Sequence, residues 1–193
     1  MNKSDAAPSQ GANSAPEGGS AAAKPRAWGD HRPIVNLDEL DATRELRHGE
    51  RFDAKLASVG SRIGARKLGC NVTTVAPGKR AFPFHNHHVN EELFFVLEGE
   101  GTLRLGDDEH PVREGDFVCC PAGGAAHQFI NTGTSPLRYI AVSTMIDCDV
   151  WHYPDSKKFG VIAGRDPSLP PSQATFPSRF VGDDIGLDYW HGE

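Results

Sequence analysis

The chain has 193 residues and a formal net charge of −6, with a sequence pI near 5.8. That acidic balance, without any concentration of Lys and Arg, excludes nucleic acid as an ordinary partner. No stretch approaches the roughly 20 apolar residues of a membrane span, and the N-terminus lacks the apolar core of a secretory signal. No membrane is therefore expected, and the cytoplasm is the expected location. Hydrophobic residues at 38% and charged residues at 24% fit a soluble globular protein. The 21 glycines and 14 prolines imply many turns, which favours β structure over a helical bundle.

Residues 1–27 are mostly Ala, Ser, Gly, Pro, Asn and Gln. They hold too little apolar surface to offset the entropy of ordering, so a disordered tail is expected. Residues 28–66 read as an N-terminal extension of helix and strand. Asn36-Leu37-Asp38-Glu39 resembles a helix start, with Asn36 as cap and Glu39 at the capping-box position. The helix is expected to reach about Leu46, with His48-Gly49 ending it.

Residues 67–146 read as a barrel. Short β-prone runs recur over 69–75, 82–88, 92–97, 102–105, 110–112, 116–120, 127–131 and 137–143. Turn residues such as Pro77-Gly78, Gly106-Asp107-Asp108 and Thr132-Gly133-Thr134 separate them. Many short strands with regular turns point to an all-β, antiparallel sandwich or barrel. Residues 147–193 are Pro-rich yet carry Trp151, Tyr153, Phe159, Phe180 and Trp190, too many aromatics for a disordered tail. An extended C-terminal arm packing on the barrel or on a partner subunit is expected. Cys70, Cys119, Cys120 and Cys148 show no C-x-x-C pairing, and the adjacent pair would face opposite ways in a strand. They read as buried thiols in a reducing compartment.

The chemistry lies in four residues. His85 and His87 are two apart in a strand-like run, so both imidazoles face one side. Glu92 follows at the wrong parity for a continuous strand, which requires a bend near Asn90 before it can rejoin them. Glu91 competes with it as the carboxylate. His127 opens a later run that a cross-barrel pairing could bring alongside. Three imidazoles and one carboxylate form a set able to hold one divalent transition metal (Fe, Mn, Ni, Co or Zn) with positions left open. Alone, His85-Asn86-His87 is a weak sign, since exposed histidines are common. His31, His48, His110, His152 and His191 have no matching partners.

If Glu92 faces inward, so does Phe94; if His127 does, so does Phe129. With Leu103 and Leu105 these residues are candidates for a small apolar substrate pocket, weighed against the plainer reading of barrel core. Arg80, Arg104 and Arg138 are candidate contacts for an anion, weighed against surface solvation.

Gly78, His85, His87, Glu92 and Gly99 together resemble the first motif of the cupin superfamily. Gly115, Pro121, Gly123, His127 and Asn131 resemble the second. Each motif is one residue longer than usual, within a turn that spares the ligand types. The resemblance implies a cupin β-barrel (a double-stranded β-helix or jelly roll) and His85, His87, Glu92 and His127 as metal ligands. The expected function is a metal-dependent enzyme of dioxygenase or isomerase/lyase type acting on a small molecule. The alternatives are a passive binding module for a sugar, a metabolite or a metal, and a barrel with a structural metal. A homodimer is expected, because a small barrel has sheet edges to cover.

Overall fold

A computed structural model describes residues 32–164 and 176–183, together with Gly186 and His191. The expected disordered tail at 1–27 and the closing Tyr189-Trp190 lie outside the described residues. The strands, in chain order, are β1 (Arg44–His48), β2 (Phe52–Ser58), β3 (Leu68–Val75), β4 (Asn86–His87) and β5 (Glu92–Glu98). After them come β6 (Glu100–Leu105), β7 (Asp108–Arg113), β8 (Phe117–Cys120), β9 (His127–Ile130) and β10 (Leu137–Thr144). The last three are β11 (Asp149–Tyr153), β12 (Lys158–Ala163) and β13 (Phe176–Gly182).

All strand pairs are antiparallel. One sheet runs β1-β2-β3-β10-β5-β8, a second β13-β12-β11-β4, and a third β7-β6-β9. Single-residue bridges stitch them together: His85 to His127, Arg80 to Ile130 and Phe52 to Arg80. This is the antiparallel cupin barrel that the sequence implied.

Alternation along the strands builds the core. On β5, Phe94 and Val96 are buried while Leu93 between them and β4 faces out. They join Leu56, Val75, Leu103, Phe129, Leu137 and Tyr139 in one cluster drawn from both walls. The rings of Phe94, Phe129 and Tyr139 meet at centroid distances of 4.9 Å, 4.6 Å and 5.9 Å, which are favourable aromatic separations. Cys120 is buried and Cys119 exposed, the opposite-face arrangement expected of neighbours in a strand. Cys119 and Cys148 are exposed, so the reading of all four as buried thiols is corrected.

Two local expectations are also corrected. The helix foreseen from Asn36 to Leu46 is a single 3-10 turn, Leu37–Glu39, capped by the Asn36 side chain accepting from the Asp38 N–H. The capping signal is real, but a short helix is marginal without tertiary support. Here the support goes elsewhere: Leu37 and Leu40 pack on Ala57, Val59 and Val72, and Arg44–His48 pairs along β2. The long strand expected over 82–88 is only Asn86–His87. Over its described part, the expected C-terminal arm is a meander of β11, β12 and β13 that pairs with β4.

The β5–β6 connection turns on Gly99, whose φ of +82° suits glycine alone. A Cβ there would lie 2.4 Å from the Pro136 carbonyl oxygen. Gly99→Ala combines a left-handed backbone with a clash against backbone, and should cost at least about 2 kcal/mol. Urea unfolding midpoints of the two proteins measure this, and an unchanged midpoint would contradict it.

Candidate metal centre

The two-residue β4 is held from both sides. On one side, β11 pairs Trp151 with His87 and His152 with Asn86. On the other, His85 and His127 exchange both backbone hydrogen bonds: the His127 N–H donates to the His85 carbonyl (2.8 Å) and the reverse bond is 3.2 Å. This close pairing sets the two imidazoles at 4.8 Å between centroids, and His87 stands 5.3 Å from His85.

Glu92 reaches the same point through the bend expected near Asn90. Asn90 is buried, and its Oδ1 accepts from the Ile146 N–H (2.8 Å) and the Thr144 hydroxyl (2.9 Å). Those bonds tie the bend to the end of β10 and re-phase the chain. Glu92 therefore points among the histidines, while Glu91 is exposed. Glu92 Oε2 lies 3.0 Å from His127 Nε2, 3.4 Å from His87 Nε2 and 4.0 Å from His85 Nε2. The donor atoms of His85, His87 and Glu92 all fall within 4.8 Å of one another, and His127 joins them through Glu92.

The protons of His85 and His87 are placed by partners away from this centre, while His127 Nδ1 is buried without a hydrogen-bond partner. His85 Nδ1 is 2.8 Å from the Pro83 carbonyl oxygen. A carbonyl only accepts, so Nδ1 carries the proton and Nε2 of the neutral ring carries a lone pair. Burial first, and then His127, lower the His85 pKa to about 4, so the ring is neutral at physiological pH. His87 Nδ1 is 2.6 Å from Asp149 Oδ2 and donates to it. Asp149 is itself buried and accepts on Oδ1 from the N–H groups of Val150 (2.9 Å), Val89 (3.3 Å) and Asn90 (3.4 Å). Burial raises its carboxyl pKa, but the bonds from His87 and Asn90 outweigh that and hold it below the usual range.

Glu92 follows the same logic. Burial pushes its carboxyl up, and the three imidazoles, His127 foremost, bring it below its usual value. Its Oε2 is buried, and its nearest neighbour, His127 Nε2 at 3.0 Å, meets it at hydrogen-bonding distance but outside good hydrogen-bond geometry. A carboxylate oxygen facing the bare Nε2 lone pair of His85 is repulsive unless a cation lies between them. The donor set and the orphaned oxygen therefore fit a bound metal ion.

A cavity of about 300 Å³ opens on this cluster. Phe94 and Phe129 line it. Leu103 and Leu105 are not among its lining residues: Leu103 is in the core, paired across strands with Phe129, and Leu105 packs against that core. Residues that sequence reasoning missed line the cavity as well. Trp151 and Tyr153 come from β11, with the Tyr153 ring stacked at 5.7 Å on His85. Thr73 and Tyr139 pair across the sheet floor, and Arg44 on β1 supplies a guanidinium. Asp149 was also missed. It stands 62 positions from His87 and meets it only through the β4–β11 pairing, which no local pattern signals.

A cupin domain profile matches residues 71–143. Protein SchB of Streptomyces halstedii is 31% identical over 107 residues, covering 55% of this chain and 73% of that protein. The oxalate-binding protein of Thermotoga maritima is 32% identical over 62 residues, covering 32% of this chain and 50% of that one. The chain thus spans about half the length of the first curated relatives it matches. Among solved structures, a protein of Acidithiobacillus ferrooxidans provisionally assigned as a sugar phosphate isomerase superposes with a TM-score of 0.66 at 28% identity. That match covers 80% of this chain and 95% of the other. With both motifs, the barrel and the convergent histidines in place, the chain belongs to the cupin superfamily. No helix among the described residues is long and apolar enough to cross a membrane.

Proposed function

We propose that His85, His87, Glu92 and His127 bind one divalent transition metal (Fe, Mn, Ni, Co or Zn), and that the chain is a metal-dependent enzyme acting on a small organic substrate. The observation that carries this reading is the buried Glu92 oxygen facing an imidazole whose proton is fixed elsewhere, at the floor of an open cavity. When bound, the metal supplies Lewis-acid polarisation of a carbonyl or hydroxyl oxygen. The surrounding residues fit that chemistry. Arg44 favours a substrate with an anionic end, and Trp151, Phe94 and Phe129 exclude water from the floor. Burial, reinforced by Glu92 and Asp149, raises the Tyr153 pKa, so its phenol stays protonated as a hydrogen-bond donor.

An isomerase or lyase reaction is favoured over dioxygenation by the likeness to the Acidithiobacillus protein, which extends over most of both chains. The test is a panel of aldose and ketose phosphates, run beside an oxygen electrode, with metal-loaded and chelated protein. Interconversion lost with chelator and restored by metal is the expected result. Metal-dependent oxygen uptake would move the protein to the dioxygenase class. Saturable binding without turnover would favour a passive binding module, the reading that the oxalate-binding relative supports. Unfolding on chelation, rather than loss of activity alone, would make the metal structural.

We also infer a homodimer. Strand β8 is an edge of the six-stranded sheet, and Phe117 on it is 68% exposed beside Phe95, with ring centroids 4.4 Å apart. An uncovered apolar edge is a pairing surface. Light scattering at micromolar concentration should give a dimer mass for the native chain and a monomer mass for Phe117→Asp. A monomeric native chain would contradict it.

A further inference from the structure

A second cavity, of about 540 Å³, lies beside the metal-facing one, and Gln128 lines both. It forms where the β1–β2 turn, the 80–84 segment, β6 and the start of β12 meet. Although the chain is acidic overall, Arg51, Arg80, Arg104 and Lys158 line this cavity against only Glu109 and Asp155.

The four cations are not equivalent. Arg104 lies over the Phe84 ring at 3.6 Å and donates to Asp155 at 2.7 Å, so its charge is spent within the protein. Arg80 is different. Its backbone is pinned on two sides: its N–H donates to the Arg51 carbonyl (2.9 Å), its own carbonyl accepts from Asp53 (3.3 Å), and it bridges to Phe52 and Ile130. Its side-chain Nε is nonetheless buried and has no hydrogen-bond partner. A buried guanidinium N–H without an acceptor is costly, and native structures rarely leave one so. Lys158 sits 5.2 Å from the Tyr153 ring and 5.5 Å from the Phe180 ring, with no carboxylate partner among the described residues.

We infer that this cleft is an anion site, separate from the metal centre, that binds the phosphate group of a small phosphorylated molecule. Arg80 donates from a fixed backbone, while Arg51 and Lys158 supply the remaining charge. A phosphate monoester offers acceptors to the part of the Arg80 guanidinium that lines the cavity, and carries enough negative charge for the cations that Asp155 and Glu109 leave unbalanced. The Arg104–Asp155 pair on Phe84 forms a fixed wall. The inference does not depend on the metal reading, since none of the proposed ligands lines this cleft.

The experiment is isothermal titration of inorganic phosphate into the full chain, in phosphate-free buffer, with native protein, Arg80→Gln, Lys158→Gln and the double variant His85→Ala/His87→Ala. Circular dichroism confirms that each variant is folded. The expected result is saturable binding that weakens about tenfold in Arg80→Gln and in Lys158→Gln, and is unchanged in the histidine variant. No saturable binding by the native chain would overturn the inference. So would binding indifferent to both cation substitutions, or binding abolished by the histidine substitutions, which would place the phosphate on the metal. If Arg80→Gln does not fold, Lys158→Gln carries the comparison alone.

Discussion

His85→Ala combined with His87→Ala should leave the purified protein essentially metal-free, against about one divalent ion per native chain. The two substitutions remove two of the three nitrogen donors and leave Glu92 with His127, a pair too small to hold a first-row ion through purification. The fold should survive, because both side chains lie at the cavity floor outside the main hydrophobic cluster. The result is therefore legible as loss of ligands rather than loss of structure. A second readout follows from linkage. Added metal raises the melting temperature of a protein that binds it in the native state alone, so chelated native protein should gain stability on titration with Mn²⁺ or Zn²⁺. The double variant should show no such gain. Stoichiometric metal that persists in the variant would overturn the ligand assignment.

The second large effect is expected at Asp149, which contacts no proposed metal position but holds His87. Its two oxygens accept four hydrogen bonds, one from His87 Nδ1 and three from backbone N–H groups. Asparagine has the same shape but only one accepting oxygen. If its amide group faces the backbone donors, three bonds oppose a donor. If it faces His87, the ring loses its acceptor and turns its proton towards Nε2, where a metal would bind. Either arrangement costs about 1–3 kcal/mol of stability. Loss of the charged partner should also weaken metal binding by about 10–100-fold. Competition titrations against a chromogenic chelator measure the affinity, and thermal melts of the metal-free proteins measure the stability. An Asp149→Asn protein with native metal affinity would show that His87 needs no orienting partner.

The barrel was legible because its signals are local, and the four convergent residues because two motifs far apart in the chain, with His127 in the second, resemble a known pattern. Alternation marks β5 and β10, and the spacing of His85, His87 and Glu92 needs only one bend to bring them together. What the sequence left open was how that bend is made and which carboxylate it delivers. Asn90 settles both, through bonds to Thr144 and Ile146 far along the chain. The same distance in sequence hid Asp149, Trp151 and Tyr153, since β11 earns its place in the site only by pairing with β4. Around Leu37 the local signal was read correctly as a cap and wrongly as a helix, because pairing with β2 outweighs weak helical preference over 44–48. Leu103 shares its inward face with Phe129, but the floor of the cavity lies above it. Parity fixes which side a residue faces, not how deep it sits.

Anomalous diffraction from crystals of the native protein, collected on both sides of the absorption edge of whichever metal elemental analysis finds, tests the central claim most directly. The account predicts one strong peak among Nε2 of His85, His87 and His127 and a carboxylate oxygen of Glu92, about 2.0–2.2 Å from each donor. A metal elsewhere in the chain, or a fully occupied site that excludes Glu92, would contradict it.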